Sequence, residues 1–147
     1  MTKKLLDTLK LPEDLRRCST EQLTQISTEL REELIDTVAS SGGHFASSLG
    51  ATEITVALHH TFNTPHDRIL WDVGHQGYIH KMLTGRKDKL SSIRQKNGIP
   101  GFFKRCESEY DAFGAGHAGT SISAAVGMRV ALDRIDPERY VVAVIGD

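Results

Sequence analysis

Tyr140-Val141-Val142-Ala143-Val144-Ile145-Gly146-Asp147 is the stretch whose reading decides the fold. Its apolar run, Val141 to Ile145, is mostly β-branched and shows no polar alternation. That pattern predicts a strand buried on both faces, the kind found in parallel sheets. The carboxyl end of such a strand is where open α/β sheets place their ligands. Gly146 removes the side chain where the backbone must turn or approach something closely. Asp147 presents a hard oxygen donor at that edge, suited to Mg²⁺ holding a phosphate. The same residues also read as a strand that closes in an ordinary Gly-Asp turn.

Working back from that strand, a helix is predicted after Gly119, capped by Thr120 or Ser121, with Ile122, Val126, Val130 and Leu132 facing inward and an end near Asp136-Pro137. Before it lies a glycine-rich loop, Gly114-Ala115-Gly116-His117-Ala118-Gly119. Residues 97–111 read as a long, partly mobile loop with an acidic patch at Glu107 and Glu109, and long loops in compact domains are often functional. Arg86 to Lys96 reads as a short solvated helix, and Lys104-Arg105 as solvated. His80 to Leu83 reads as one helical turn closed by Thr84-Gly85. Ile69-Leu70-Trp71-Asp72 is a second buried strand, followed directly by the loop Val73-Gly74-His75-Gln76-Gly77, which Asp72 caps or orients. Ala51 to Phe62 reads as a helix with Ile54, Ala57 and Leu58 on its apolar side. The helix over 20–40 is the plainest of all. Ser19 and Gln22 have capping-box spacing, Leu23, Ile26, Leu30, Leu34 and Val38 make one stripe, and Ser41-Gly42-Gly43 ends it. Strands separated by helical segments predict an α/β fold with a parallel sheet and flanking helices.

At 147 residues the chain is long enough for one domain with a real core. A net charge of -1 gives no reason to expect nucleic acid or an anionic membrane as partner. No apolar run approaches the ~20 residues of a membrane span. Cys18 and Cys106 are isolated thiols without metal-ligand spacing, and a cytoplasmic protein is expected.

The chemistry concentrates at three histidines in loops of small residues: His44, His75 and His117. Each one alone is more often a hydrogen-bonded loop residue than a catalyst; their shared setting is what points to a site. The segment from Gly116 to Ser121, opening a helix, presents backbone N–H groups suited to a phosphate. It is neither a dinucleotide fingerprint nor a Walker loop. His59-His60 and His66 lack a companion set of ligands for zinc.

Five motifs occur in one order: Ser41-Gly42-Gly43-His44-Phe45-Ala46-Ser47, Trp71-Asp72-Val73-Gly74-His75-Gln76, the segment Lys104 to Asp111, Gly116-His117-Ala118-Gly119-Thr120-Ser121-Ile122-Ser123, and Val144-Ile145-Gly146-Asp147. Together they resemble the 1-deoxy-D-xylulose-5-phosphate synthases, thiamine-diphosphate enzymes of the transketolase-like group. The resemblance runs from about Leu15 to the end of the chain. It implies condensation of pyruvate with glyceraldehyde 3-phosphate and loss of CO2, giving a precursor of isoprenoids, thiamine and pyridoxal. It implies His44 as the catalytic histidine over the reacting centre, and His75, Gly116, His117 and Ala118 as cofactor contacts. It implies Asp147 as the ligand of the Mg²⁺ that bridges the diphosphate, and a homodimer for the full-length enzyme.

The resemblance also implies that residues 1–147 form the N-terminal part of a pyrophosphate-binding domain, cut after the Gly-Asp of the family's Gly-Asp-Gly motif. A later Asn and the pyrimidine-binding domain with its glutamate are then lacking, and the chain alone is expected to be inactive. Two departures stand out: Ala118-Gly119 replaces a common Ser-Ser, and Phe103 stands where proline is common. Another transketolase-like enzyme, or a non-catalytic remnant that binds a partner or a diphosphate, remains an alternative reading.

Overall fold

The computed structural model describes residues 4–146. Its sheet has two parallel strands, β1 (Arg68–Trp71) and β2 (Val141–Val144), in register from Arg68 opposite Val141 to Trp71 opposite Val144. The ladder extends at both ends, where the Arg68 amide donates to Tyr140 O at 2.9 Å and the Asp72 amide to Val144 O at 2.8 Å. The α/β class with a parallel pair and flanking helices is as the sequence predicts.

Five α-helices accompany that pair among the described residues, α1 (Thr20–Ser41), α2 (Phe45–Gly50), α3 (Thr52–Thr61), α4 (Tyr78–Lys81) and α5 (Thr120–Ile135), and α5 packs directly on both strands. The capping box of α1 forms as expected, with the Gln22 amide donating to Ser19 Oγ and the Ser19 amide to Gln22 Oε1. Its stripe of Ile26, Leu30, Leu34 and Val38 enters the main core with Leu15, Val56, Tyr78, Ile79 and Leu83. A smaller core of Ile69, Trp71 and Phe103 lies on the sheet, with Leu58, Ala115 and Val144 packed against it. Among the described residues no helix is long and apolar enough to cross a membrane.

Several expectations need correction. Strand β2 is half-buried along its whole length, not buried on both faces, because β1 is its one neighbour among the described residues. Helix α5 lays Ser121 and Leu132 inward, while Ile122, Val126 and Val130 are 51%, 58% and 55% exposed. Its apolar stripe therefore faces away from β1 and β2. Helix α3 turns Thr52, Thr55, Val56 and His59 inward and leaves Ile54 exposed. A polar face is tolerated there because its groups are paired: Thr55 Oγ1 donates to Ala51 O, and both His59 ring nitrogens have partners. The segment 86–96 is not a solvated helix. Lys87–Ser92 is a 3-10 turn that buries Leu90, and Arg86 and Ile93 on either side are buried too.

Candidate active site

Two glycines carry the chain out of α1 with positive φ, +71° at Gly42 and +143° at Gly43. At Gly43 a Cβ would stand 2.7 Å from the Tyr78 hydroxyl, so only glycine lets the turn lie on that ring. The Tyr78 hydroxyl accepts the His44 amide at 3.1 Å and fixes the start of α2, with His44 as its N-cap. The loop read from sequence around His44 thus becomes a short helix. Ser47 and Ser48 on α2 both donate to the His75 carbonyl, at 3.2 and 3.3 Å. That pair of bonds ties α2 to the loop after β1.

Histidines 44 and 75 consequently meet edge to face, with ring centroids 5.9 Å apart. Phe102 and Tyr78 complete the surroundings of the His44 ring at 5.0 and 6.1 Å. Burial holds the His44 imidazole below its ordinary range. The positive charge of Arg94 and the neighbouring His75 act in the same direction, and the Gly101 carbonyl works against them. Both Nδ1 atoms, of His44 and of His75, are buried and have no hydrogen-bond partner among the described residues.

The second glycine loop is held by a single carboxylate. Asp72 accepts the Gly119 amide at 2.9 Å, the Ser121 amide at 3.2 Å and the Ser121 hydroxyl at 2.7 Å. These donors, the Gly119 amide first, hold the Asp72 carboxyl below the usual range. Asp72 thus caps α5 from a different element, while Gly119, left-handed at φ +79°, is the N-cap residue itself. The expected caps, Thr120 and Ser121, are donors here: Thr120 Oγ1 bonds His117 O, and Ser121 bonds Asp72. The expectation of free N–H groups for a phosphate is corrected in the same way, since the Gly119 and Ser121 amides already face a carboxylate.

The structure therefore brings His44 and His75 together and sets Gly116, His117 and Ala118, all exposed, on the adjoining loop. That loop meets the His75 loop closely: a Cβ on Gly74 would fall 2.8 Å from the Ala115 Cβ. Asp147 lies outside the described residues. No cluster of three or more metal-ligating side chains occurs among the described residues. The histidines set aside as zinc ligands have other partners. His60 Nδ1 meets Leu15 O, His66 Nε2 meets Asp136, and His59 meets Thr64 and His80.

Sequence reasoning missed the polar row behind the site. Lys81, Arg86, Glu107 and Asp111 form buried ion pairs of 2.7 to 2.9 Å. With the bonds from Lys81 to Pro100 O and Phe102 O, they tether the long loop over residues 97–111 at four points, making it a strap. The row joins two local pairs, Lys81 with Arg86 and Glu107 with Asp111, that lie 21 or more residues apart in sequence. The one local signal was Lys81, a charge within the largely apolar run Tyr78 to Leu83. A separate cleft of about 490 Å³ lies between α5 and the 105–112 segment, with Arg68, Arg105 and Arg139 on its wall. None of the three loop histidines lines it.

Comparison with known proteins bears on the whole stretch. A family profile described as 1-deoxy-D-xylulose-5-phosphate synthase matches residues 6–147. A protein of that name from Neisseria meningitidis is 56% identical over 143 residues, covering 97% of this chain and 22% of the relative. Another from Francisella philomiragia is 60% identical over 144 residues, covering 97% of this chain and 23% of the relative. The chain thus spans less than a quarter of the length of these curated relatives. By the profile and by these identities, the chain belongs to the 1-deoxy-D-xylulose-5-phosphate synthase family.

Proposed function

We propose that residues 1–147 are the first part of a pyrophosphate-binding domain. In the full-length enzyme they would contribute to the condensation of pyruvate with glyceraldehyde 3-phosphate, with loss of CO2. The observation that carries this reading is the pair of buried Nδ1 atoms of His44 and His75, on rings 5.9 Å apart and without partners among the described residues. Buried polar atoms without partners are costly unless a ligand or water meets them. These residues fit thiamine diphosphate: His75, Gly116, His117 and Ala118 would hold it, and Asp147 would hold its Mg²⁺. The cofactor supplies, when bound, the electron sink for decarboxylation of a 2-oxo acid.

The chain's own residues supply position and a proton. Burial keeps the His44 imidazole neutral near pH 7, so Nδ1 can accept a proton and return it. Phe102 and Tyr78 shield the ring from water. The two serine hydroxyls on the His75 carbonyl fix the backbone of that histidine relative to α2.

The test is made in a full-length synthase that contains this chain, with cofactor affinity and turnover measured separately. His44→Ala is expected to lower turnover by ~100-fold or more, the scale of general acid–base catalysis, with little change in cofactor affinity. Asp147→Ala is expected to lose metal-dependent cofactor binding first. Full turnover in His44→Ala, or a failure confined to cofactor binding, makes His44 a structural residue.

A further inference from the structure

Lys81, at the end of α4, is fully buried. An ammonium is tolerated in such a place only when its donors are all met. Here Nζ reaches Pro100 O at 2.8 Å, Phe102 O at 3.3 Å, and both Glu107 carboxylate oxygens at 2.8 Å. Glu107 is shared with Arg86, which also grips Asp111 through two bonds of 2.7 and 2.9 Å. The two carbonyls flank Gly101, whose own carbonyl faces the His44 ring, and Phe102 covers that ring. Gly101 also lies against Arg94, where a Cβ would meet Arg94 Cγ at 2.8 Å. Phe103 turns the opposite way, onto Gly74 and Gly77 beside His75, with Lys81 Nζ 5.5 Å from its ring centre. One buried ammonium therefore fixes the strap from which Gly101, Phe102 and Phe103 reach both histidine loops.

We propose that Lys81 is a positioning residue for His44: its bonds to the Pro100 and Phe102 carbonyls hold the strap over the imidazole and keep water from it. The importance of this for turnover rests on the reading of His44 given above, but the strap itself can be tested on the ring. The groups that face His44 are Arg94 from the turn after Leu90, His75 from the loop after β1, and Tyr78 from α4. Lys81, Glu107, Arg86 and Asp111 stand behind the strap.

The experiment follows the titration of His44 by NMR in the 147-residue chain labelled at histidine, with the signal assigned through His44→Gln. Lys81→Met keeps the volume and removes the donors. It is expected to raise the His44 midpoint by roughly half a pH unit or more, as water reaches the ring. Phe102→Ala, at a partly exposed position, is expected to move it the same way. An unchanged midpoint in Lys81→Met overturns the role of Lys81, and unchanged midpoints in both variants overturn the strap as a cover. If Lys81→Met yields no folded spectrum, Lys81→Gln takes its place, since its shorter amide cannot meet both carbonyls and Glu107 at once. A smaller upward shift is then expected, and a midpoint equal to the parent's overturns the proposal. A shifted midpoint together with full turnover of His44→Ala in the synthase would sink the functional reading and leave the strap standing.

Discussion

His59 Nε2 lies 3.0 Å from His80 Nδ1, and both rings are fully buried. The two facing nitrogens share one proton, Thr64 Oγ1 meets His59 Nδ1 at 2.9 Å, and Asp111 lies 3.5 Å from His80 Nε2. Neither ring reaches water, so an added proton is a buried charge.

Acid should therefore destabilise this protein earlier than its carboxylates require. Burial pushes both imidazoles below 6.5, and repulsion from His80 adds to the effect at His59. The unfolded chain then binds more protons than the folded one once pH falls through about 6.5. Stability is full above that value and declines below it, by at most ~1.4 kcal/mol per pH unit for each histidine. Asp111 acts in a different window: its pKa is depressed below 3.8, so its contribution is lost only in stronger acid. Urea midpoints at pH 7.5 and 5.5 check this. The parent should lose stability between them, and His59→Gln should lose less. Equal midpoints for the parent at the two pH values would remove the argument.

Asp72→Ala should unravel the start of α5 without disturbing β1. The carboxylate accepts three hydrogen bonds from Gly119 and Ser121, and Thr120 and Ser121 offer no acceptor in its place. Hydrogen exchange is the measurement. The Gly119 and Ser121 amides are expected to exchange at least about tenfold faster in the variant, while Leu70, in the middle of β1, stays protected. Unchanged protection at both amides would mean that Gly119 and its neighbours hold the helix start unaided. Asp72→Asn separates charge from shape, since the amide keeps one acceptor oxygen for these donors and loses the negative charge at the helix N-terminus.

What the sequence made legible follows from how local each signal is. The α1 stripe, its capping box and the glycines after it lie within one continuous segment, and each formed as expected. The same holds for the two strands, whose β-branched and aromatic runs are short and uninterrupted. Burial was harder to read. Ile122, Val126 and Val130 have perfect helical spacing, yet the side of α5 that meets β1 and β2 carries Ser121 and Leu132. Spacing identifies a stripe but not the surface that covers it. At the site, His44 and His75 stood out through their glycine and serine neighbours. Tyr78, Phe102 and Lys81 did not, because their partners are 34, 58 and 26 residues away in sequence: His44 for the first two, Glu107 for the third. The capping of α5 by Asp72 escaped for the same reason, with 47 residues between donor and acceptor.

Gly77 and Phe103 should be coupled by sterics alone. Gly77 has φ -94°, a conformation open to any residue, so an alanine there meets no backbone strain. Its Cβ would, however, fall 2.0 Å from Phe103 Cζ and 2.3 Å from Cε2. The ring cannot easily withdraw. It is 3% exposed, stacks on Trp71 at 6.1 Å, meets His80 edge-on at 5.2 Å and carries Lys81 above its face. Gly77→Ala is therefore expected to destabilise by ~1–3 kcal/mol, the range for overpacking a filled core. Phe103→Leu alone should also destabilise, by leaving part of the ring's volume empty. Combined, the smaller leucine gives the new methyl room and the methyl fills part of the gap, so the double variant should be more stable than the sum of the single losses predicts. A double-mutant cycle from urea unfolding measures the difference, expected at ~0.5–3 kcal/mol. Additive losses would show that the ring moves aside freely, and with it the Phe103 anchor of the strap over His44.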